Sequence, residues 1–210
     1  MKKLLLIVSA AALLTACSAN KPSETAQAPA VSAQKALPAP VDNSKPDAAK
    51  TPYAAGVSSI NASNLFEYFG RDDVLYIDVR DFGDYQKKHL RNFECIPYFA
   101  FIFNADAGKD AKKPQLYGGT VNEPVSAYKE SDDMLNVFFP KDKTLFIMCQ
   151  SGGRVAQLMT LLSKKGYDMS KIYNVGGMGQ FTAREYADYT VDALEFKVDA
   201  TYSIEGLTKN

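Results

Sequence analysis

Hydrophobic positions fall into three regimes along the chain. Residues 4–14 are an almost unbroken apolar run behind Lys2 and Lys3, residues 18–52 have no apolar period, and from residue 57 onward short apolar runs alternate with amphipathic stretches. The run at residues 74–77 (VLYI) is β-rich and nearly continuous, as expected of a strand buried on both faces of a parallel sheet. Similar short strands are predicted around residues 94–98, at 144–148 and at 171–175. Between them lie helical patterns. Residues 61–69 predict a short helix capped by Asn61 or Ser63 and stopped by Gly70, and further helices are predicted over 81–88, 132–139 and 181–189. The clearest is the stretch after residue 153, where Val155, Leu158, Met159 and Leu162 recur at helical spacing until Lys164, Lys165 and Gly166 supply a stop. Strands alternating with helices define an α/β class with a central parallel sheet flanked by helices. Ligands of such sheets gather beyond the carboxyl ends of the strands, where Arg80 and Cys149 both fall.

Two stretches depart from this alternation. Residues 104–128 form a long polar insertion holding Gly108, Pro114, Gly118, Gly119 and Pro124, either a surface insertion or a lid over a site. Residues 194–204 alternate strictly, from Leu194 and Phe196 to Tyr202 and Ile204, so residues 191–210 are expected to be a strand or hairpin extension with one wet face.

The first two regimes set the domain organisation. A basic start, an apolar run too short to span a bilayer (about 20 residues are needed) and small residues before Cys17 have the layout of an export signal, residues 1–16. Leu14, Thr15, Ala16 and Cys17 resemble the lipobox of bacterial lipoproteins. That resemblance implies acylation of Cys17, a membrane anchor and an extracytoplasmic, cell-envelope location; an ordinary signal peptide with a chance Cys is the alternative. Residues 17–56, rich in Ala, Pro, Ser and Lys, are expected to be a disordered tether with a typical reach of about 30–35 Å. The folded domain is expected over residues 57–190.

Charge narrows the candidates. The chain of 210 residues carries 24 basic and 24 acidic side chains, and losing residues 1–16 takes Lys2 and Lys3 and no acid, for a net of −2. A nucleic-acid binder would show a basic excess instead. With Cys17 lipidated only Cys95 and Cys149 remain, and His89 is the one histidine, so neither a disulfide framework, a multi-Cys zinc site nor a two-His metal site is expected, and no cofactor is implied.

The candidate chemistry lies at Cys149. The strand ending there runs into a loop of small residues, Gln150, Ser151, Gly152 and Gly153, and returns through Arg154 into a helix. Such a loop gathers backbone N–H groups and a helix N-terminus around one point, which stabilises an anion, including the thiolate of the cysteine itself. Arg154 would orient the loop and supply positive charge, or else bond loop carbonyls. Arg80 would steer an anionic substrate, or else pair with Asp78 or Asp81. His89 and Asp78 read as structural. Cys95 is placed at the entrance of a strand, away from Cys149, which argues against a resolving thiol.

Ile77-Asp78-Val79-Arg80, the turn at 81–85, His89-Leu90 through Ile96-Pro97, Cys149-Gln150-Ser151-Gly152-Gly153-Arg154 and Val175-Gly176-Gly177-Met178 occur in an order and spacing that resemble the rhodanese family of sulfurtransferases, over about residues 57–185. The resemblance implies a single rhodanese-like α/β domain in which Cys149 carries sulfane sulfur as a persulfide. It implies a small sulfur-containing anion as donor and a thiol or cyanide-like acceptor. The family's Gly-His-Ile-Pro-Gly segment stands here as Lys88-His89-Leu90-Arg91-Asn92, Phe181 replaces the usual Trp, and Gln150 stands where many thiosulfate-using members place a basic residue. Two rival classes remain. A cysteine-dependent phosphatase would have a Cys-to-Arg loop one residue longer, and a non-catalytic or redox binding module would hold sulfur on Cys149 without turnover.

Overall fold

The computed structural model describes residues 34–192 and 200–210. In chain order its elements are β1 (Val74–Asp78), α1 (Phe82–Lys87), β2 (Lys88–Leu90), β3 (Glu94–Cys95), β4 (Tyr117–Gly119), β5 (Pro124–Ser126), α2 (Ser131–Phe138), β6 (Thr144–Cys149), α3 (Gly153–Lys164), β7 (Ile172–Gly177) and β8 (Thr190–Asp192). Short 3-10 turns occupy Leu65–Tyr68, Met178–Gln180 and Arg184–Tyr189, the last where a short helix is predicted over 181–189. A four-stranded parallel sheet in the order β3-β1-β6-β7 forms the centre. The α/β class and the parallel sheet therefore stand as expected.

Alternation along β6 divides the core in two, because successive side chains of a strand point to opposite faces. Leu145, Ile147 and Cys149 join one buried cluster with Leu135 of α2 and with Val155, Leu158, Met159, Leu161 and Leu162 of α3. Phe146 and Met148 join the other, an aromatic-rich layer with Tyr76, Phe93, Tyr173 and Phe181. Burying the apolar face of α3 is worth on the order of 10 kcal/mol gross at about 1.5–3 kcal/mol per large side chain, so the helix whose first turn faces the cysteine loop is firmly seated. It stops at Lys165, followed by Gly166 at φ +73, a left-handed position that glycine adopts without strain.

Three expectations change. The tether was expected to run to residue 56, but residues 34–56 pack on the domain: Ala48 is buried, the Asp42 N–H donates to the Val57 carbonyl at 2.8 Å, and the Tyr173 hydroxyl donates to the Pro38 carbonyl at 2.5 Å. The compact unit accordingly begins at Gln34. The segment lacks apolar periodicity but is held through its own backbone carbonyls, those of Pro38, Pro40 and Tyr53 accepting from Tyr173, Ser59 and Asn174. The proposed leader, Cys17 and the rest of the tether lie outside the described residues.

Residues 104–128 are neither a loose surface loop nor a lid. β4 and β5 form an antiparallel hairpin, and Ala107, Leu116, Tyr117, Ala127 and Tyr128 are buried in the α3-side core. Gly118 is required there, since a Cβ would collide with the Ala107 carbonyl oxygen.

Of the strand expected over 191–210, the described residues show the end of β8, which pairs antiparallel with β2. Part of the alternating stretch lies outside the described residues. Residues 200–210 hold no strand; a lone bridge joins Lys209 to Tyr128, and Ile204 and Leu207 lean on the core. An alternating pattern guarantees one apolar face, which irregular backbone can bury as well as a strand can.

Candidate active site

Cys149 is the last residue of β6, 1 % exposed, and pairs with Gly177 across a register shift between Ile147 and Cys149. Its sulfur accepts the Gly152 N–H at 3.1 Å. Gly152 caps α3 at φ +89, and that left-handed turn folds the loop back over the sulfur. The N–H groups of Gln150, Ser151, Gly153, Arg154 and Val155 have no acceptor among the described residues. The twelve-residue helix α3 therefore opens on a ring of unused donors beside one sulfur atom.

The loop is clamped from β7. The Gly179 N–H donates to the Gln150 carbonyl at 3.0 Å. A Cβ on Gly177 would run into the Gln150 carbonyl and the Ser151 nitrogen, so the chain passes here only as glycine. Gly153, by contrast, has nothing within 4 Å of a Cβ. Of the two loop glycines singled out in the sequence, only Gly152 is needed as glycine for shape.

Arg154 makes none of the loop-carbonyl bonds left open as one of its roles. Its guanidinium lies 3.6 Å from the Asp81 carboxylate and 5.9 Å from the centre of the Phe99 ring, one-fifth exposed. It forms a charged rim joining the loop to the start of α1.

Of the two roles open to Arg80, the structure shows the pair with Asp78. It is 3 % exposed, bonds both carboxylate oxygens of Asp78 (2.7 Å at the closer), and donates also to the Lys88 and Asp84 carbonyls at 2.7 and 3.3 Å, which takes up most of its N–H groups. Burial pushes the Asp78 carboxyl above its ordinary range, partly offset by Arg80. His89 stacks on Tyr85 and its Nδ1 lies 3.0 Å from the Tyr85 carbonyl, a structural position. Asn92, in place of the family's glycine, takes φ +68, the left-handed region that Asn tolerates best among non-glycine residues.

Cys95 needs a different account from the one its sequence position suggested. It pairs with Asp78 at the end of β1, so it lies at the same carboxyl edge as Cys149, not away from it. β1 stands between β3 and β6. Two strand spacings, about 9.5 Å, exceed the roughly 7 Å a disulfide spans. Burial also pushes its thiol up to about 12.

Sequence reading passed over Asn174. It is 2 % exposed on β7, and its Nδ2 donates to the Gly152 carbonyl at 2.9 Å and the Tyr53 carbonyl at 2.8 Å, while its Oδ1 accepts the Gly176 N–H at 3.1 Å. One signal was available, a polar side chain inside an otherwise apolar strand run, Ile172 to Val175. Beside Gln150 a hollow of about 380 Å³ is walled by Arg80, Asp84, Lys87, Lys88, Met178 and Thr182. No residue of the 104–128 insertion lines it.

A parallel α/β sheet thus ends at its carboxyl edge in a buried cysteine whose sulfur accepts one N–H from the residue capping the next helix. The family model of the rhodanese-like domain matches residues 62–184, and the chain belongs to that family. It is 25% identical over 125 residues to rhodanese-like domain-containing protein 9, chloroplastic, of Arabidopsis thaliana, a match covering 55% of this chain and 51% of that protein. The chain thus spans about half the length of this curated relative. Among solved structures it is similar to a rhodanese with anions from E. coli, at 21% identity and a TM-score of 0.34, covering 57% of this chain and 99% of that one.

Proposed function

We propose that this protein is a sulfurtransferase that carries sulfane sulfur on Cys149. The supporting observation is the Gly152 N–H on the sulfur at 3.1 Å within a loop whose other N–H groups are unused. In the first step the Cys149 thiolate attacks the outer sulfur of a small anionic donor. The donor's bond to that sulfur breaks, its electron pair leaves with the remaining anion, and Cys149 becomes a persulfide. In the second step an acceptor thiolate attacks the outer sulfur, taking it as its own persulfide and releasing the Cys149 thiolate. Two displacements on one covalent intermediate give ping-pong kinetics. The free N–H groups stabilise the persulfide anion, and the Lys87, Lys88 and Gln150 hollow offers a route of approach. The Cys-to-Arg loop, one residue shorter than a phosphatase loop, favours a single sulfur over a phosphoryl group.

The test is intact mass after incubation with a sulfane donor, then with an acceptor thiol. Wild type gains one sulfur and loses it to the acceptor; Cys149→Ser gains none. No gain on wild type overturns the reading. The near-complete burial of Cys149 supports a second reading, a sulfur-holding module without turnover. Its outcome in the same experiment is a persulfide that no acceptor removes.

Acylation of Cys17 and attachment to an envelope membrane complete the proposal. They rest on the sequence of residues 1–17. Labelled palmitate should enter wild type and not Cys17→Ala, and equal labelling of both would remove the anchor.

A further inference from the structure

Residues 34–57 lie upstream of the family match at 62–184 but run to the cysteine loop. Two contacts place them there. The Tyr53 carbonyl accepts from Asn174 Nδ2, and the same amide group donates to the Gly152 carbonyl. A Cβ built on Gly152 would lie 2.5 Å from the Ala55 methyl and 3.1 Å from Asn174 Oδ1, so the loop is wedged between the upstream segment and β7. Gly152 is also the residue whose N–H holds the Cys149 sulfur.

From these contacts we infer that residues 53–55 and Asn174 act as one latch that positions the Gly152 peptide over the reactive sulfur. Asn174 is a positioning residue, acting on the sulfur through Gly152. Its amide is fully used: both Nδ2 hydrogens go to carbonyls and Oδ1 takes the Gly176 N–H at 3.1 Å. Buried polar groups with their hydrogen bonds made define one geometry, and replacing such a group by a methyl leaves the Tyr53 carbonyl and the Gly176 N–H searching for partners, while the Gly152 carbonyl keeps only its bond from the Ala156 N–H. The upstream segment is therefore part of the site, although it supplies no side chain to the chemistry. The inference rests on Cys149 being the reactive sulfur and goes beyond it by naming what aims the loop.

The experiment compares wild type, Asn174→Ala and Asn174→Asp in the full chain, reading sulfur loading by mass, iodoacetamide labelling of Cys149, and melting temperature. Asn174→Asp retains the acceptor for Gly176 and loses the donors to Gly152 and Tyr53. Both variants should load sulfur on the order of 10- to 100-fold more slowly at a temperature where they are fully folded, since misplacement by about 1 Å costs that much. Their Cys149 should alkylate faster, because the covering loop is released. A merely structural role would lower the melting temperature and leave both rates at the wild-type value, and that result overturns the inference.

If Asn174 variants do not fold, a second variant decides. Ala55→Leu enlarges the side chain that abuts Gly152 and leaves Gly152 and Asn174 themselves unchanged, so it should slow sulfur loading and speed the labelling of Cys149. Wild-type loading and labelling rates in folded Ala55→Leu separate the segment from the loop and overturn the latch. Alkylation is independent of sulfur transfer, so a wild type that takes no sulfur tests the function and leaves the latch decided by labelling.

Discussion

The ends of β1 and β6 are neighbours on one edge of one sheet, yet they do opposite things with their polar groups. Asp78 closes β1 and Cys149 follows Met148, the residue paired with Asp78, so the two sites are one residue out of step. At β1 most of the donors of Arg80 are taken by Asp78 and by the Asp84 and Lys88 carbonyls. At β6 one N–H meets the sulfur and five others are unspent among the described residues. Formal charge therefore does not tell which strand end has donors to spare. What distinguishes them is satisfaction: a guanidinium already bidentate to a buried carboxylate has little left to offer, whereas helix-start amides have no intrahelical acceptor.

The largest effect should come from removing the sulfur. Cys149→Ser should lose persulfide formation altogether with an unfolding midpoint close to wild type, and retained loading would mean that the comparison has named the wrong edge residue. Next, Asp78→Ala should destabilise the fold by about 3–5 kcal/mol in urea unfolding, because it leaves the Arg80 charge buried without its partner. Replacing both by leucine should recover most of that loss, whereas a double variant as unstable as Asp78→Ala would give the pair a role beyond mutual neutralisation.

Glycine substitutions sharpen the contrast within the β6 site. Gly177→Ala should cost about 1–3 kcal/mol through overpacking against the Gln150 carbonyl. Gly153→Ala, with open space around it, should hold or raise stability by up to about 1 kcal/mol as a better helix residue. Equal losses in the two would show that the loop is not clamped from β7.

The smallest effect belongs to Cys95 on β3. Folding lifts its thiol from the ordinary value of 9.0 to about 12, so the folded state keeps a proton that the unfolded chain releases between those values. Its contribution to stability is full below pH 9.0 and fades as pH climbs toward about 12. Cys95→Ser should flatten the alkaline end of the stability curve slightly and leave the neutral end in place. Iodoacetamide at about pH 8 should leave Cys95 unmodified, since the thiolate is the nucleophile.

Period and punctuation along the chain determined the parallel strands, the capped α3 and the cysteine loop, because these depend on local backbone geometry and on which residues cannot face water. Cys149, Gly152 and Arg154 were legible for that reason, as were the four sheet strands. The packing of residues 34–56, the hairpin inside 104–128, the closed Arg80–Asp78 pair and the three bonds of Asn174 were decided only by tertiary structure. The first and the last of these depend on partners distant in sequence, such as Pro38 for Tyr173 and Tyr53 for Asn174. A carbonyl has no side-chain signature, so a segment held mainly through its carbonyls looks the same in sequence whether it drifts in solvent or braces an active loop.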